Sequence, residues 1–371
     1  PELDKLIEAY NAEWDAKKRV PLAHQIDSIA VNSYHYALGW TSPYGARMLY
    51  WYKFGMPESG ITYVGDWRTP LSHWWIDSSK ENKMNKDFYK SLDLPLIAAP
   101  LFLISGPEMV IECCKNGIVG TFPALNQRTT EGFEDWVVQI KDALELFEKE
   151  TGKKPAPFGV NLIVHPTNIR VKADLDVCEK YKVPLIITSL GAVPQIVDLV
   201  HSYGGLVYHD IIKKRHAEKA SEAGVDGLIL VAAGAGGHAG TLHPIPLINE
   251  VKKIFSKTIV LSGCLSNGND IASALQMGAD IAYMGTRFIN VKESRAEDNY
   301  KDMIMQSSAE DIVYTAAVSG VNANFLRPSL EAMGITEEQW KDTKKIDFGN
   351  TSDLAESEAK AWKTIWSAGQ G

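Results

Sequence analysis

One segment of the chain combines a titratable side chain with an unusual freedom of backbone. GAGGHAG (234–240) sets His238 among four glycines. A backbone without Cβ atoms can approach a ligand closely and can adopt positive φ. An imidazole within it titrates near neutral pH and suits proton abstraction from a weakly acidic substrate. A lone histidine is more often an ordinary surface or core residue, but one bordered by glycines at the end of an apolar run is a candidate base. His209, at the end of an earlier run, is a weaker candidate. His243 reads as a loop residue. Two neighbouring histidines raise the question of a metal, yet no carboxylate or cysteine lies close to them in sequence. No metal site is expected.

Two further stations are built from small residues. SGCLSNGND (262–270) and GTRF (285–288) each follow an apolar run and precede a helix start. Small residues there form a phosphate cup, and backbone N–H groups at a helix N-terminus suit a dianion. Arg287 would add charge there or pair with a structural carboxylate. No G-x-G-x-x-G segment follows an early strand, so a dinucleotide Rossmann site is not expected. A glycine-bordered histidine with a phosphate cup implies a phosphate-bearing cofactor or substrate. The residues alone do not choose between FMN and a sugar phosphate.

Something must hold these stations together, and the spacing of apolar runs says what. Eight short β-rich runs follow one another: 94–100, 117–122, 158–164, 183–189, 204–210, 225–233, 258–263 and 280–285. Helical patterns lie between most of them, at about 107–116 and at 131–150 for example. Runs that are apolar on both faces belong to a parallel sheet covered by helices. Eight units over about 200 residues fit a closed (β/α)8 TIM barrel. The alternative is an open doubly wound sheet. In a barrel the glycine loop and both small-residue stations fall at the C-terminal ends of strands, where function concentrates.

The first 83 residues are different. They hold six of the ten tryptophans and seven of the fourteen tyrosines. We divide the chain into an aromatic-rich N-terminal appendage, 1–83, and a barrel with a C-terminal helical part, 84–371. Residues 3–18 carry a helical pattern and the polar run 78–87 reads as a linker. A net charge of −8 argues against nucleic-acid binding through bulk charge. Four cysteines form no disulfide framework and no zinc signature. No apolar run is long enough for a membrane span, and PELDKLIEAY does not have the shape of a signal peptide. The expected compartment is the cytoplasm.

The motifs resemble those of the nitronate monooxygenase family, once called 2-nitropropane dioxygenases. The likeness runs from about Leu92 to Gly371. It rests on PLIAAPLF (95–102), FGVN (158–161), AGVDGLILVAAGAGGHAG (223–240), LSGCLSNGNDIASALQMGADIAYMGTRF (261–288) and WSAGQG (366–371), in that order. It implies a (β/α)8 barrel with non-covalent FMN. By that resemblance the backbone of Ala99, Pro100 and Leu101 borders the flavin ring with Asn161, and Gly236 and Gly237 lie close to it. Ser262, Gly263 and Cys264, with Gly285 and Thr286, hold the phosphate. His238 is the catalytic base. The implied reaction oxidises alkyl nitronates, and by extension nitroalkanes, with O2 to a carbonyl compound and nitrite. An NAD(P)H-dependent flavin reductase acting on quinones or enoyl thioesters is the competing enzyme reading. A sugar-phosphate barrel without flavin, and a non-catalytic binding module in 1–83, are the others. A homodimer is the assembly considered, since barrel exteriors often pair.

This sequence departs from the family pattern at four positions and at its N-terminus. Leu101 stands where many members have Met, and Cys264 where many have Gly. Val231 and Gly234 stand where many have Gln and Glu. The first 83 residues match nothing recognised in the family.

Overall fold

The computed structural model describes residues 91–341, except 166, 192 and 319, and residues 365–371, with short pieces of helix and strand before residue 91. The chain separates into two compact units, Pro1–Lys83 and Met84–Gly371. In the first, Tyr36–Ser42 pairs antiparallel with Gly45–Tyr50, and Phe54–Gly55 with Trp75–Ile76. Of the helix expected over 3–18, turns at 5–6 and 9–10 are described. The polar run 78–87 lies outside the described residues.

The second unit is a closed barrel of eight parallel strands in chain order. They are Leu96–Ala98, Val119–Pro123, Phe158–Ile163, Leu185–Ser189, Leu206–Ile211, Gly227–Val231, Thr258–Ser262 and Ile281–Met284. The eighth closes on the first, with Met284 opposite Ala98. Each strand falls on one of the eight runs read from the sequence, inside its bounds except for one residue at the C-terminal end of the second and fifth strands.

Why those runs are apolar throughout is visible in the two cores. Alternate residues point to opposite faces of a strand. Ile97, Val119, Leu185, Ile187, Tyr208, Ile229, Val260 and Ile281 fill the barrel interior. Their neighbours Phe122, Val160, Ile186, Val207, Leu228 and Leu261 face the helices. Each fully buried large side chain contributes about 1.5–3 kcal/mol. Phe88 packs on Tyr208 at 6.3 Å between ring centroids. It also lines a cleft with Phe158, Pro184 and Leu206, at the strands' N-terminal ends. That end of the barrel is given to packing.

The longest helix, Thr130–Thr151, shows how the outer layer is specified. Thr129 accepts a hydrogen bond from the Gly132 N–H and caps its start. Gly152 ends it at φ 69°. Phe133, Trp136, Val137, Ile140 and Leu144, at helical spacing, form its buried face.

Beyond the eighth strand come helices Asp298–Gln306, Arg327–Ala332 and Glu337–Lys341, which supply the helical part expected there. The structure adds a three-stranded antiparallel sheet that the apolar runs did not reveal. Ile312–Thr315 pairs with Ala323–Leu326, and the latter pairs with Gly237–His238. Residues 342–364 lie outside the described set.

Candidate active site

The glycine loop follows the sixth strand and is held from three sides. Gly237 and His238 form a two-residue strand, with His238 opposite Ala323 and Gly237 opposite Asn324. The buried Asn324 side chain donates from Nδ2 to the Ala235 carbonyl at 2.6 Å. The Tyr314 hydroxyl donates to the Ala239 carbonyl at 3.2 Å. At the loop's end, Gly240 N–H bonds to the Val231 carbonyl and packs against Ile212, just past the fifth strand. His238 itself is exposed. The backbone around the imidazole is therefore fixed while the ring is accessible, as a proton acceptor requires.

The third support is the closing segment, residues 365–371. Its Gln370 N–H donates to the Gly234 carbonyl at 2.8 Å. Its Gly369 N–H donates to Thr286 Oγ1 at 2.8 Å. Trp366 stacks on Tyr300 at 4.9 Å, and the Tyr300 hydroxyl donates to the Ser367 carbonyl. A Cβ on Gly236 would lie 2.8 Å from Gly369 N and 2.9 Å from the Ala368 carbonyl carbon. The close approach that Gly236 permits is thus, on that side, an approach of the chain's own backbone.

The two small-residue stations meet this segment. A Cβ on Gly371 would lie 2.7 Å from Ser266 Oγ and 2.9 Å from the Cys264 carbonyl carbon. Gly369 and Gly371 therefore bring the tail against both Thr286 and the 264–266 turn. Ser262 is buried. The backbone N–H groups of Gly263, Cys264, Gly285 and Thr286 enter none of the loop and turn backbone hydrogen bonds among the described residues. The helix after the seventh strand, Gly268–Met277, is different. Asn267 Oδ1 accepts from the N–H groups of Asn269 and Asp270, and Asp270 Oδ2 from those of Ser266 and Asn267. This corrects the expectation that the helix start offers donors to a dianion: a capping box already uses them, and its carboxylate opposes an anion there. What fits a phosphate is the turn before it together with Gly285–Thr286. Arg287 is exposed and in no ion pair among the described residues.

Across the mouth, the loop after the first strand is pinned by a residue that sequence reasoning missed. Asn126 Nδ2 donates to the carbonyls of Leu101 and Ser105, and its Oδ1 accepts from Leu103 N–H. Ser105 Oγ accepts from Leu101 N–H at 2.8 Å. Ala99 is buried and Leu101 half-buried. A Cβ on Gly285 would lie 3.3 Å from Leu101 Cδ2 and 3.7 Å from Ala99 Cβ, so the loop after the first strand and the turn after the eighth are neighbours.

Asn161 also has a fixed place. It is buried on the third strand, and its Nδ2 donates to the Ile187 carbonyl at 3.2 Å and to Ser189 Oγ at 2.8 Å. Ser189 in turn donates to Asp210 Oδ2 at 2.5 Å. Asp210 lies near the end of the fifth strand on the same face as Tyr208, so it looks into the barrel. Burial raises its carboxyl from 3.8 to about 6, against the lowering effect of the Ser189 bond. Tyr283 is raised as well, first by burial and then by the Asp210 charge. Neither Ser189 nor Asp210 was singled out in the sequence. The available signal was an acidic residue at the C-terminal end of a barrel strand.

His209, the weaker candidate, points the other way. It is buried outside the barrel, 2.8 Å from Thr188 Oγ1 through Nδ1, and burial lowers its imidazole to about 4, with His216 adding to the effect. His243 serves its own helix, since its Nδ1 accepts from Ile245 N–H and caps Pro244–Lys252. Among the described residues no His, Cys, Asp or Glu cluster could hold a metal ion, and no helix is long and apolar enough to cross a membrane.

Two of the departures prove to be one. Cys264 sits at φ 57°, and its thiol turns to the Ala233 carbonyl at 3.6 Å. A Cβ built on Gly234 would overlap that same Sγ. The thiol of residue 264 occupies the space into which a side chain at 234 would grow.

A closed parallel barrel with its polar stations gathered after the strands is the layout of a (β/α)8-barrel enzyme. A model of the nitronate monooxygenase family matches residues 122–339. The chain belongs to the nitronate monooxygenase family. Its similarity to individual members is low. It is 25% identical over 292 residues to a nitronate monooxygenase of Paraburkholderia phytofirmans, a match covering 66% of this chain and 76% of that one. It is also 25% identical over 236 residues to the (3aS,4S,5R,7aS)-5-hydroxy-7a-methyl-1-oxo-octahydro-1H-indene-4-carboxyl-CoA dehydrogenase of Rhodococcus jostii. That match covers 64% of this chain and 63% of the relative, so less than two thirds of that protein's length is represented. Among solved structures, a nitroalkane oxidase from Streptomyces ansochromogenes superposes with a TM-score of 0.61 at 23% identity, covering 76% of this chain and 91% of that one. FabK from Thermotoga maritima gives 0.59 at 23% identity, over 67% and 76%. At these identities the structures speak for the fold alone.

Proposed function

We propose that this chain is an FMN-dependent enzyme that oxidises alkyl nitronates, and neutral nitroalkanes after deprotonation, to a carbonyl compound and nitrite with O2. The observation that carries the reading is the exposed His238 on a short strand fixed by Ala323–Leu326 and by the closing segment. Family membership supports the chemistry.

The residues present fit the cofactor. The N–H groups at Gly263, Cys264, Gly285 and Thr286 suit its phosphate, with Ser262 beside them. Ala99, Pro100 and Leu101, with Asn161, Gly236 and Gly237, would border the ring. FMN, when bound, supplies the redox chemistry between substrate and O2. His238 takes the acidic α-proton of a neutral nitroalkane; toward a nitronate anion the protonated imidazole serves as a positioning charge. Replacing His238 by Asn should lower turnover of neutral nitroalkanes by roughly 100-fold or more and spare nitronates better. Equal turnover by variant and wild type would remove His238 from the role of base.

The first test is the absorption spectrum of the purified protein with the released cofactor identified. A colourless protein that cannot be reconstituted with FMN sinks the reading. A second reading, an NAD(P)H-dependent reductase of enoyl thioesters, is favoured by the similarity to a CoA-thioester dehydrogenase. Rapid anaerobic bleaching of the flavin by NADH or NADPH would select it; no bleaching would exclude it.

A further inference from the structure

We propose that Asp210, positioned by Ser189 and Asn161, is a direct polar contact of the cofactor's ring and holds its reduction potential down. The inference rests on the FMN reading above. Its starting point is a side chain whose needs are not met within the protein. Asp210 Oδ2 accepts from Ser189, but Oδ1 is buried and has no hydrogen-bond partner among the described residues. The residue as a whole keeps some exposure while this oxygen does not. No Lys, Arg or His pairs with it among the described residues.

A buried carboxylate without a cation is costly and is normally paired or neutralised. Asp174, a buried acid on the outer layer, shows the usual compensation of charge: Arg170 lies 3.0 Å from Oδ1 and Thr130 donates to the same oxygen at 2.7 Å, although its Oδ2 is also without a hydrogen-bond partner. Asp210 has neither a cation nor a second donor. What it has is orientation. Asn161 donates to Ser189, and Ser189 donates to Asp210, so one carboxylate oxygen is held and the other is left to accept. This row of three stands on the barrel-facing side of the third, fourth and fifth strands, toward their C-terminal ends. Below it lies the apolar layer of Ile187, Tyr208 and Ile229. Gly240, from the loop that carries His238, packs on Ile212, two residues beyond Asp210.

A ligand that satisfies Oδ1 must bring an N–H or O–H donor. The ring of a flavin carries such a donor on its polar edge, and the ring gains negative charge on reduction. A carboxylate beside it would bind the oxidised ring by a charge-assisted hydrogen bond and oppose the added charge. Tyr283 is the titratable group that faces Asp210 from the eighth strand, and its phenol stays protonated beside the carboxylate.

The experiment compares wild type, Asp210→Asn and Asp210→Ala at pH 8, by FMN titration and by the reduction potential of the bound flavin. Asn keeps the shape and removes the charge, so it should bind FMN and shift the potential to more positive values. Ala should weaken FMN binding roughly tenfold or more through the lost hydrogen bond. Should Ala fail to fold, the potential of the Asn variant decides. A potential unchanged or more negative in Asp210→Asn overturns the proposal and leaves the FMN reading standing. Failure of the wild type itself to bind FMN overturns both, and is seen before any variant is made.

Discussion

At the scale of single residues, the informative positions are those where backbone and side chain disagree. Gly234 holds φ 80° and Cys264 φ 57°, both in the left-handed region that L side chains enter at a cost. Their side-chain spaces coincide. Gly234→Ala should therefore cost more than the roughly 1–2 kcal/mol of its backbone alone. In a Cys264→Gly background the overlap with the thiol is gone, the flexible end of the Gln370 side chain 2.9 Å away can give, and the same change should cost close to that amount. A denaturant double-mutant cycle measures the coupling, and additive effects would refute it. Asp210 makes a second prediction at this scale. Its carboxyl titrates near 6 when folded and near 3.8 ordinarily. Between those values the unfolded chain has released a proton that the folded chain keeps. Stability without added flavin should fall as pH rises through that window, and the full cost is present above it. Asp210→Asn should therefore outlast wild type at pH 8, by on the order of 2–3 kcal/mol at about 1.4 kcal/mol per pH unit. The two should converge near pH 4.

Among the elements, the small sheet formed by Gly237–His238, Ile312–Thr315 and Ala323–Leu326 matters most for the proposed function. It turns a glycine-rich loop, which would otherwise sample many conformations, into a fixed mount for His238. The Asn324 side chain is the bond that ties strand to loop. Asn324→Ala should cost about 1–3 kcal/mol by leaving the Ala235 carbonyl buried and unpaired. The same variant should lower kcat on neutral nitroalkanes while leaving the flavin spectrum in place. A variant with unaltered kcat would show that His238 does not depend on this mount. The capped helix Gly268–Met277 makes the complementary point: an element's position beside the proposed phosphate cup does not make it a phosphate donor when its own side chains satisfy its N–H groups.

For the molecule as a whole, the barrel's stability resides in two concentric cores separated by its wall. The outer one joins the helices to the strands. Phe133 is fully buried there, and its ring lies 6.0 Å from that of Phe122. Phe133→Ala should cost about 3–5 kcal/mol, read as a lower midpoint in denaturant. It should leave the pH dependence of turnover unchanged, because the ring lies in the outer, helix-facing core and bears no ionisable group. A cost below about 1 kcal/mol would mean that the outer layer repacks freely.

The sequence by itself determined the barrel. Eight apolar runs with helical patterns between them admit few other arrangements, because a strand covered on both faces must be apolar on both. It also determined which stations lie at the mouth, since strand order fixes which loops share an end. His238 and the 262–264 and 285–286 turns were legible for that reason, and Asn161 only through the family resemblance. The tertiary structure decided what no local pattern encodes. Asn126 acts on Leu101 across 25 positions, and Asn324 on Ala235 across 89. The closing glycines reach Gly234 and Thr286 only because the chain returns to the mouth. Asp210 became conspicuous only when burial and the lack of a second donor could be seen, because hydrogen-bond satisfaction is a property of the surroundings and not of the residue.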